Sequence, residues 1–384
     1  MKVSSVDSFV VSAAPRRPYW GARAWGEEPP PGAYPPQFRR RYLYSPTIDA
    51  VLVRIRTEDG VEGWGEAKAP VAAHATATLV DQLLAPLVVG TRLDEITATW
   101  DRMYAGMRVR GHDSGFWLEA IAGVDIALWD AWSRHCGQPM YAMLGGRCRT
   151  SVAVYASGVP AGPDPGAVRA EAQLLREAGH LAVKVAIGTD PATDLASVTA
   201  VREVFDHVLA DAAGQYDLSQ ALRVGRGLTD LGAGFFEMPL PPEDIDGYAR
   251  LAAALDIPLA LDSIATRHRA VQFLRAGALR VVQPDVCRAG GITETMRIAV
   301  VADAFGAQAT PHVSIGSPVH LAASLHCAAA IPNLAWLEWW VGDNPLARLC
   351  PHPPAPRQGR VTVPAEPGLG VTVDPAALDE LEAR

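Results

Sequence analysis

The chain lacks the features that would mark a secreted, membrane-spanning or nucleic-acid-binding protein. Its five cysteines, Cys136, Cys148, Cys287, Cys327 and Cys350, are odd in number, widely spaced and form no Cys-x-x-Cys pair. That usage argues against a disulfide framework or a thiolate zinc site and fits reduced thiols in a cytoplasm. No run of about 18 apolar residues occurs, so no membrane span is expected. Val10-Val-Ser-Ala-Ala-Pro15 faintly resembles a signal-peptide cleavage region, but Asp7 interrupts an apolar stretch that is already too short. Basic excess is also missing. With 34 Lys and Arg against 42 Asp and Glu, the formal net charge is −8, which speaks against a nucleic acid or an anionic membrane as partner. Hydrophobic residues make up 49% and charged residues 20%, so a sizeable core is available, and 384 residues suggest two or three domains.

What the chain has is a period. Short apolar runs each end in one charged or titratable residue: His180-Leu-Ala-Val-Lys184, Val208-Leu-Ala-Asp211, Phe235-Phe-Glu237, Leu259-Ala-Leu-Asp262, Val281-Val-Gln-Pro-Asp285, Gln308-Ala-Thr-Pro-His312 and Leu334-Ala-Trp-Leu-Glu338. Successive end residues are 27, 26, 25, 23, 27 and 26 positions apart. Helix-like segments lie between them, including Asp194–His207, Ile245–Leu255, Arg267–Ala276 and Thr293–Ala304. A buried parallel strand is an apolar run of roughly 4–8 residues, and alternation with helices argues for a parallel sheet. Seven or eight such units in succession predict an α/β barrel, whose strand ends open into one mouth. A lone acid after an apolar run is usually a solvated loop residue or a helix cap. A series in step with the strands predicts that these seven residues meet.

The flanks have another rhythm. Residues 1–12 read as a strand, and residues 13–40 as a proline- and aromatic-rich loop long enough to be a lid. Ile48–Thr57 and Val61–Ala67 form a hairpin around Glu58-Asp59-Gly60. Helical segments follow at His74–Leu84, Leu93–Met107 and Phe116–Cys136, the last ended by Gly137 and Pro139. The predicted organisation is an α+β unit over residues 1–125, a barrel over 126–345, and a segment over 346–384 that packs back on the first unit.

Asp211, Glu237 and Asp262 fall on three consecutive strand ends. Three gathered carboxylates repel unless a counter-charge joins them, and a hard divalent cation with oxygen ligands does so. Mg²⁺ is expected, Mn²⁺ is possible, and zinc suits the donors less well. Asp285 and His312 end adjacent strands, where a carboxylate can fix one imidazole tautomer and raise the basicity of the other nitrogen. Lys184 could neutralise a substrate carboxylate, take a proton, or merely pair with a ligand. A metal, an imidazole and a lysine together suit removal of the proton next to a carboxylate. His320 and His326, on the following apolar helix, read as packing residues.

These residues resemble the mandelate racemase and muconate lactonizing enzyme branch of the enolase superfamily. The likeness runs through Ala-Val-Lys184, Asp211, Phe-Glu237-Met-Pro, Ala-Leu-Asp262, Gln-Pro-Asp285-Val-Cys-Arg-Ala-Gly-Gly-Ile-Thr, Pro-His312, Trp-Leu-Glu338, Gly63-Trp-Gly-Glu-Ala67, Gly123-Val-Asp-Ile-Ala-Leu-Trp-Asp130 and Pro367-Gly-Leu-Gly370. It implies a (β/α)7β TIM-like barrel under an α+β capping domain built from both termini. It also implies Mg²⁺ on Asp211, Glu237 and Asp262, an Asp285–His312 base, Glu338 bonded to the substrate carboxylate or enolate, a loop at residues 13–40 closing over the substrate, and a homo-oligomer.

Three positions depart from the pattern. Lys184-Val-Ala186 stands where the branch often has Lys-x-Lys, Ala213 where an Asn is common, and Met238 where an acid or amide is usual. Without the second lysine, a reaction needing a base on each face is disfavoured. The expectation is therefore dehydration of an acid sugar or related hydroxy acid, with His312 as base and then acid. Trp20, Arg23 and Tyr155 are the candidate substrate contacts. A racemase or epimerase using another second base, such as Tyr155, is the alternative, and a non-catalytic acid-binding scaffold is a third reading.

Overall fold

A computed structural model describes residues 1–16 and 45–383. Strand β1 (Val3–Ala13) pairs antiparallel with β2 (Ile48–Thr57), which pairs antiparallel with β3 (Glu62–Ala67). The β2–β3 turn closes through Gly60, whose φ of 84° suits glycine and whose N–H donates to Thr57 O at 3.0 Å. The helix Phe116–His135 lies so close on β3 that a Cβ at Gly65 would come within 2.0 Å of Gly123 O, and one at Gly63 within 2.3 Å of Ala127 O. The expected domain boundary at 125/126 thus falls inside a helix packed on the first unit.

Eight parallel strands follow: β4 (Ser151–Pro160), β5 (Ala182–Ala186), β6 (His207–Asp211), β7 (Phe236–Glu237), β8 (Leu259–Leu261), β9 (Val281–Val282), β10 (Gln308–Ala309) and β11 (Leu337–Trp340). Their order in the sheet is β10-β9-β8-β7-β6-β5-β4-β11, with helices between them, which is the α/β barrel arrangement. Among the described residues no strand ladder joins β10 to β11. The gap is crossed instead by Ala309 N–H donating to Asn333 O at 3.2 Å and by Val313 N–H donating to Glu338 Oε2 at 3.2 Å.

Side chains two apart on a strand share a face. Tyr155, Ala182, Leu209, Phe235, Ala260 and Val281 form one buried cluster, and the residues two further along are Ser157, Lys184, Asp211, Glu237, Asp262 and Gln283. The apolar set fills the barrel interior, and the polar set forms the layer above it. Lys184 is mid-strand in β5 and Glu338 lies within β11, so both sit deeper than the strand tips that the apolar runs suggested.

The C-terminal segment holds to both units. β12 (Arg360–Thr362) pairs antiparallel with β4, while Ala383 N–H donates to Val10 O at 2.8 Å. Buried Asp130 ties the tail to the first sheet, accepting from Trp64 N–H at 2.9 Å, Leu369 N–H at 2.7 Å and Arg134 Nε at 2.9 Å.

Candidate active site

Lys184 is the centre of the polar layer. Its Nζ lies 2.8 Å from Glu237 Oε2, 2.8 Å from Glu338 Oε1 and 3.6 Å from Asp211 Oδ2, and it sits 5.6 Å above the Tyr155 ring. Burial alone would lower this ammonium's pKa, but Glu237 and Glu338 raise it well above the ordinary value. The same lysine serves two carboxylates with opposite outcomes. Glu237 is pushed up to about 8, because burial and the neighbouring Asp211, Glu338 and Asp262 outweigh Lys184. Burial works against Glu338 as well, yet Lys184, His312 and Ser157 bring it down to about 2. Asp211, whose Oδ1 accepts from Ala213 N–H at 2.9 Å, is raised mainly by burial.

His312 stands across from this group. Its Nδ1 is 2.9 Å from Asp285 Oδ2, and its Nε2 is 3.5 Å from Glu338 Oε2 and 3.8 Å from Asp262 Oδ2. Burial lowers the imidazole's pKa, but Glu338, Asp285 and Asp262 more than offset it and leave it raised. Asp285 is fully enclosed. Burial opposes its charge, yet Lys68, His320 and His312 hold it well below the usual carboxylate range.

The donors of Glu237, Asp262 and His312 lie within 4.8 Å of one another, close enough to share an ion. Asp211 is outside that set and joins it through Lys184. The chemistry fits a divalent cation: Asp262 Oδ1 is buried without a hydrogen-bond donor, and Glu237 faces three other carboxylates. A cavity of about 550 Å³ opens beside Asp262 and Asp285, reaching Ser114 and Glu119 of the first unit and Arg288 of the barrel. Burial pushes Glu119 up to about 7.

Several placements differ from the sequence expectations. Tyr155 is fully buried in the apolar layer, T-shaped against Phe235 at 5.9 Å, so it packs beneath the mouth and does not face a substrate. Trp20, Arg23 and nearly all of the expected lid lie outside the described residues. His326 is a packing residue, but His320 is not merely one. Its Nε2 lies 3.1 Å from Asp285 Oδ1, and it shares a buried corner with Glu66 and Cys287.

The apolar runs do not single out Ser157, Gln283 or Lys68 as site residues. Gln283 Nε2 donates to Glu237 Oε2 at 2.9 Å, and Lys68 Nζ donates to Asp285 Oδ2 at 3.1 Å. Parity along the strands would have found Ser157 and Gln283, each two residues beyond an interior apolar residue. No sequence signal ties Lys68 to a residue 217 positions away.

The family model of the mandelate racemase / muconate lactonizing enzyme N-terminal domain matches residues 45–145, and that of the enolase C-terminal domain-like family matches residues 167–377. The chain is 34% identical over 346 residues to the D-galactarolactone cycloisomerase of Agrobacterium fabrum, covering 86% of this chain and 90% of that protein. It is 32% identical over 345 residues to the arabinonate dehydratase of Saccharolobus solfataricus, covering 88% and 91%. A solved member of the enolase superfamily from Agrobacterium tumefaciens superposes with a TM-score of 0.89 at 31% identity, over 100% of this chain and 99% of that one. Barrel, capping unit and acid cluster are thus found together in a chain that belongs to the mandelate racemase and muconate lactonizing enzyme family of the enolase superfamily.

Proposed function

We propose that this chain is a magnesium-dependent hydro-lyase that dehydrates an acid sugar, with His312 removing the proton α to the carboxylate. The observation that carries this reading is His312 itself. Asp285 takes one ring nitrogen, which leaves Nε2 facing the side where Asp262 and Glu338 converge.

Glu237 and Asp262, whose oxygens already converge, would hold the ion, with Asp211, which pairs beside Glu237 on the next strand but lies outside that close set, as the third carboxylate. Their all-oxygen donors suit Mg²⁺, with Mn²⁺ as a substitute. When bound, the ion supplies positive charge where the substrate carboxylate becomes more negative. Asp285 keeps the Nδ1–H tautomer of His312, so Nε2 is free to accept the α-proton. As the C–H bond breaks, its electrons form the α,β double bond and the β-carbon–oxygen bond breaks. The proton on Nε2 passes to the departing hydroxyl, water leaves, and the enol ketonises to a 2-keto-3-deoxy acid. Lys184 stays protonated between Glu237 and Glu338, so its part is charge neutralisation rather than proton transfer. Ala186, two residues along on the same face, has no group to move a proton, which supports chemistry with one base. Tyr155, enclosed below Lys184, does not supply the second base that a racemase would need.

The likeness to a galactarolactone cycloisomerase favours one second reading. A lactone whose ring oxygen leaves from the β-carbon would use the same His312 step. Either substrate is a small carboxylate; the cysteine usage fits a cytoplasm, and the family resemblance suggests a homo-oligomer, which light scattering on the purified protein checks.

The test is a screen of aldonates, aldarates and their lactones with Mg²⁺, with Mn²⁺ and with EDTA, reading 2-keto acid formation. Turnover that needs the metal and is lost in His312→Asn is expected. Exchange of the α-proton with solvent, with no water lost from any acid sugar, would contradict the proposal.

A further inference from the structure

We propose that Lys68, contributed by the capping unit, is the positioning residue that fixes the Asp285–His312 pair. This rests on the reading of His312 as base. Lys68 is 6% exposed, and its Nζ donates to Asp285 Oδ2 at 3.1 Å, the same oxygen that lies 2.9 Å from His312 Nδ1. Nζ also donates to the Ser314 hydroxyl, two residues beyond His312. The Lys68 backbone N–H donates to Cys287 O at 3.1 Å, while Cys287 N–H donates to Asp285 Oδ1 at 2.9 Å. Each Asp285 oxygen is therefore held from a different side.

Asp285 serves two imidazoles at once: His320 Nε2 lies 3.1 Å from Oδ1 while His312 Nδ1 lies 2.9 Å from Oδ2, so rotation of the carboxylate would disturb both. Lys68 on Oδ2 and Cys287 N–H on Oδ1 leave one orientation, with Oδ2 aimed at Nδ1. A buried ammonium is retained only when paired and hydrogen-bonded, and Asp285 is the carboxylate that Lys68 meets. Glu66, two residues earlier, fixes the same strand end to the barrel by accepting from Ser317 N–H at 3.0 Å and His320 N–H at 3.3 Å. The imidazole of the barrel is thus oriented through a cation that arrives with β3.

The test compares wild type, Lys68→Met and Lys68→Arg as Mg²⁺-loaded full-length protein. Histidine-selective ¹⁵N NMR reads the ring nitrogens, with His312→Gln identifying the His312 signals. In Lys68→Met the His312 ring signals should shift and broaden while those of His326 stay in place. On whichever acid sugar the enzyme turns over, kcat should fall by roughly 10- to 100-fold, as for other residues that orient a site ligand, with KM changed less than about threefold. Lys68→Arg should recover part of kcat. Unchanged His312 signals and wild-type kcat in a folded Lys68→Met protein would overturn the proposal. If Lys68→Met does not fold, Lys68→Gln is read against the same two results. If wild type turns over nothing, the NMR comparison still decides the role of Lys68, so failure of the dehydratase reading and failure of this one remain distinct.

Discussion

Ala213 and Met238 hold their backbones in the left-handed region, at φ 47° and φ 40°. A residue with a Cβ is strained there by roughly 1–2 kcal/mol, whereas Gly and Asn accept it readily. An Asn would suit this geometry at position 213, and the turn has a use here: Ala213 N–H points toward Asp211 Oδ1. Replacing Ala213 by Asn should raise stability by about 1 kcal/mol without disturbing that N–H, seen as a higher urea midpoint; an unchanged or lower midpoint would argue against strain.

His326 gives a pH dependence with a definite sign. Its Nδ1 accepts from Tyr141 N–H at 3.2 Å and its Nε2 donates to Leu369 O at 3.1 Å, so the ring is neutral and burial lowers its pKa to about 4. The unfolded ring protonates near 6.5. Its contribution to stability is therefore complete above pH 6.5 and is lost as pH falls toward 4, by up to about 3 kcal/mol. Urea unfolding at pH 7.5 and pH 4.5 should show a loss that His326→Gln reduces; equal losses would refute it. His312, Asp285 and the three acids could be read from the chain because each closes an apolar run. Lys68 and His320 could not, because their link to Asp285 exists only after capping unit and barrel have docked.

Among the elements, β3 and the helix Phe116–His135 meet backbone to backbone at Gly63 and Gly65. Gly65→Ala would place a methyl carbon 2.0 Å from Gly123 O, and overpacking of that kind costs about 1–3 kcal/mol or more. Gly106, inside the helix Ile96–Arg108, has no neighbour closer than 3.8 Å, so Gly106→Ala should stabilise by up to about 1 kcal/mol. Thermal unfolding of the pair checks both signs, and a tolerated Gly65→Ala would contradict the backbone-to-backbone contact. The hairpin, the long helix and the strand period were legible because local patterning dictates them. The open β10–β11 seam was not, since it depends on how short strands meet across the whole barrel. Nor was the pairing of β12 with β4, where Arg360 meets Ala153 from a distant part of the chain.

For the whole molecule, the site unites five buried or part-buried carboxylates, Asp211, Glu237, Asp262, Asp285 and Glu338, with Lys68, Lys184 and His312. The acids outnumber the cations, and Asp262 keeps an oxygen without a donor. A divalent ion should therefore stabilise the fold by mass action: Mg²⁺ raises Tm in wild type and much less in Asp262→Asn, and equal shifts in both would place the ion elsewhere. The convergence of the acids was visible from their spacing, but the ring of charge around Lys184 was not, because strand depth decides which residues meet at each level.

The most direct measurement is turnover of an acid sugar with Mg²⁺ in D₂O, followed by NMR of the product. One deuteron at the β-carbon of a 2-keto-3-deoxy acid, with no product from a His312→Asn enzyme that still shows the Mg²⁺-induced rise in Tm, is the expected result. Undiminished turnover by His312→Asn, or deuterium entering at the α-carbon of recovered substrate while no water is lost, would contradict it.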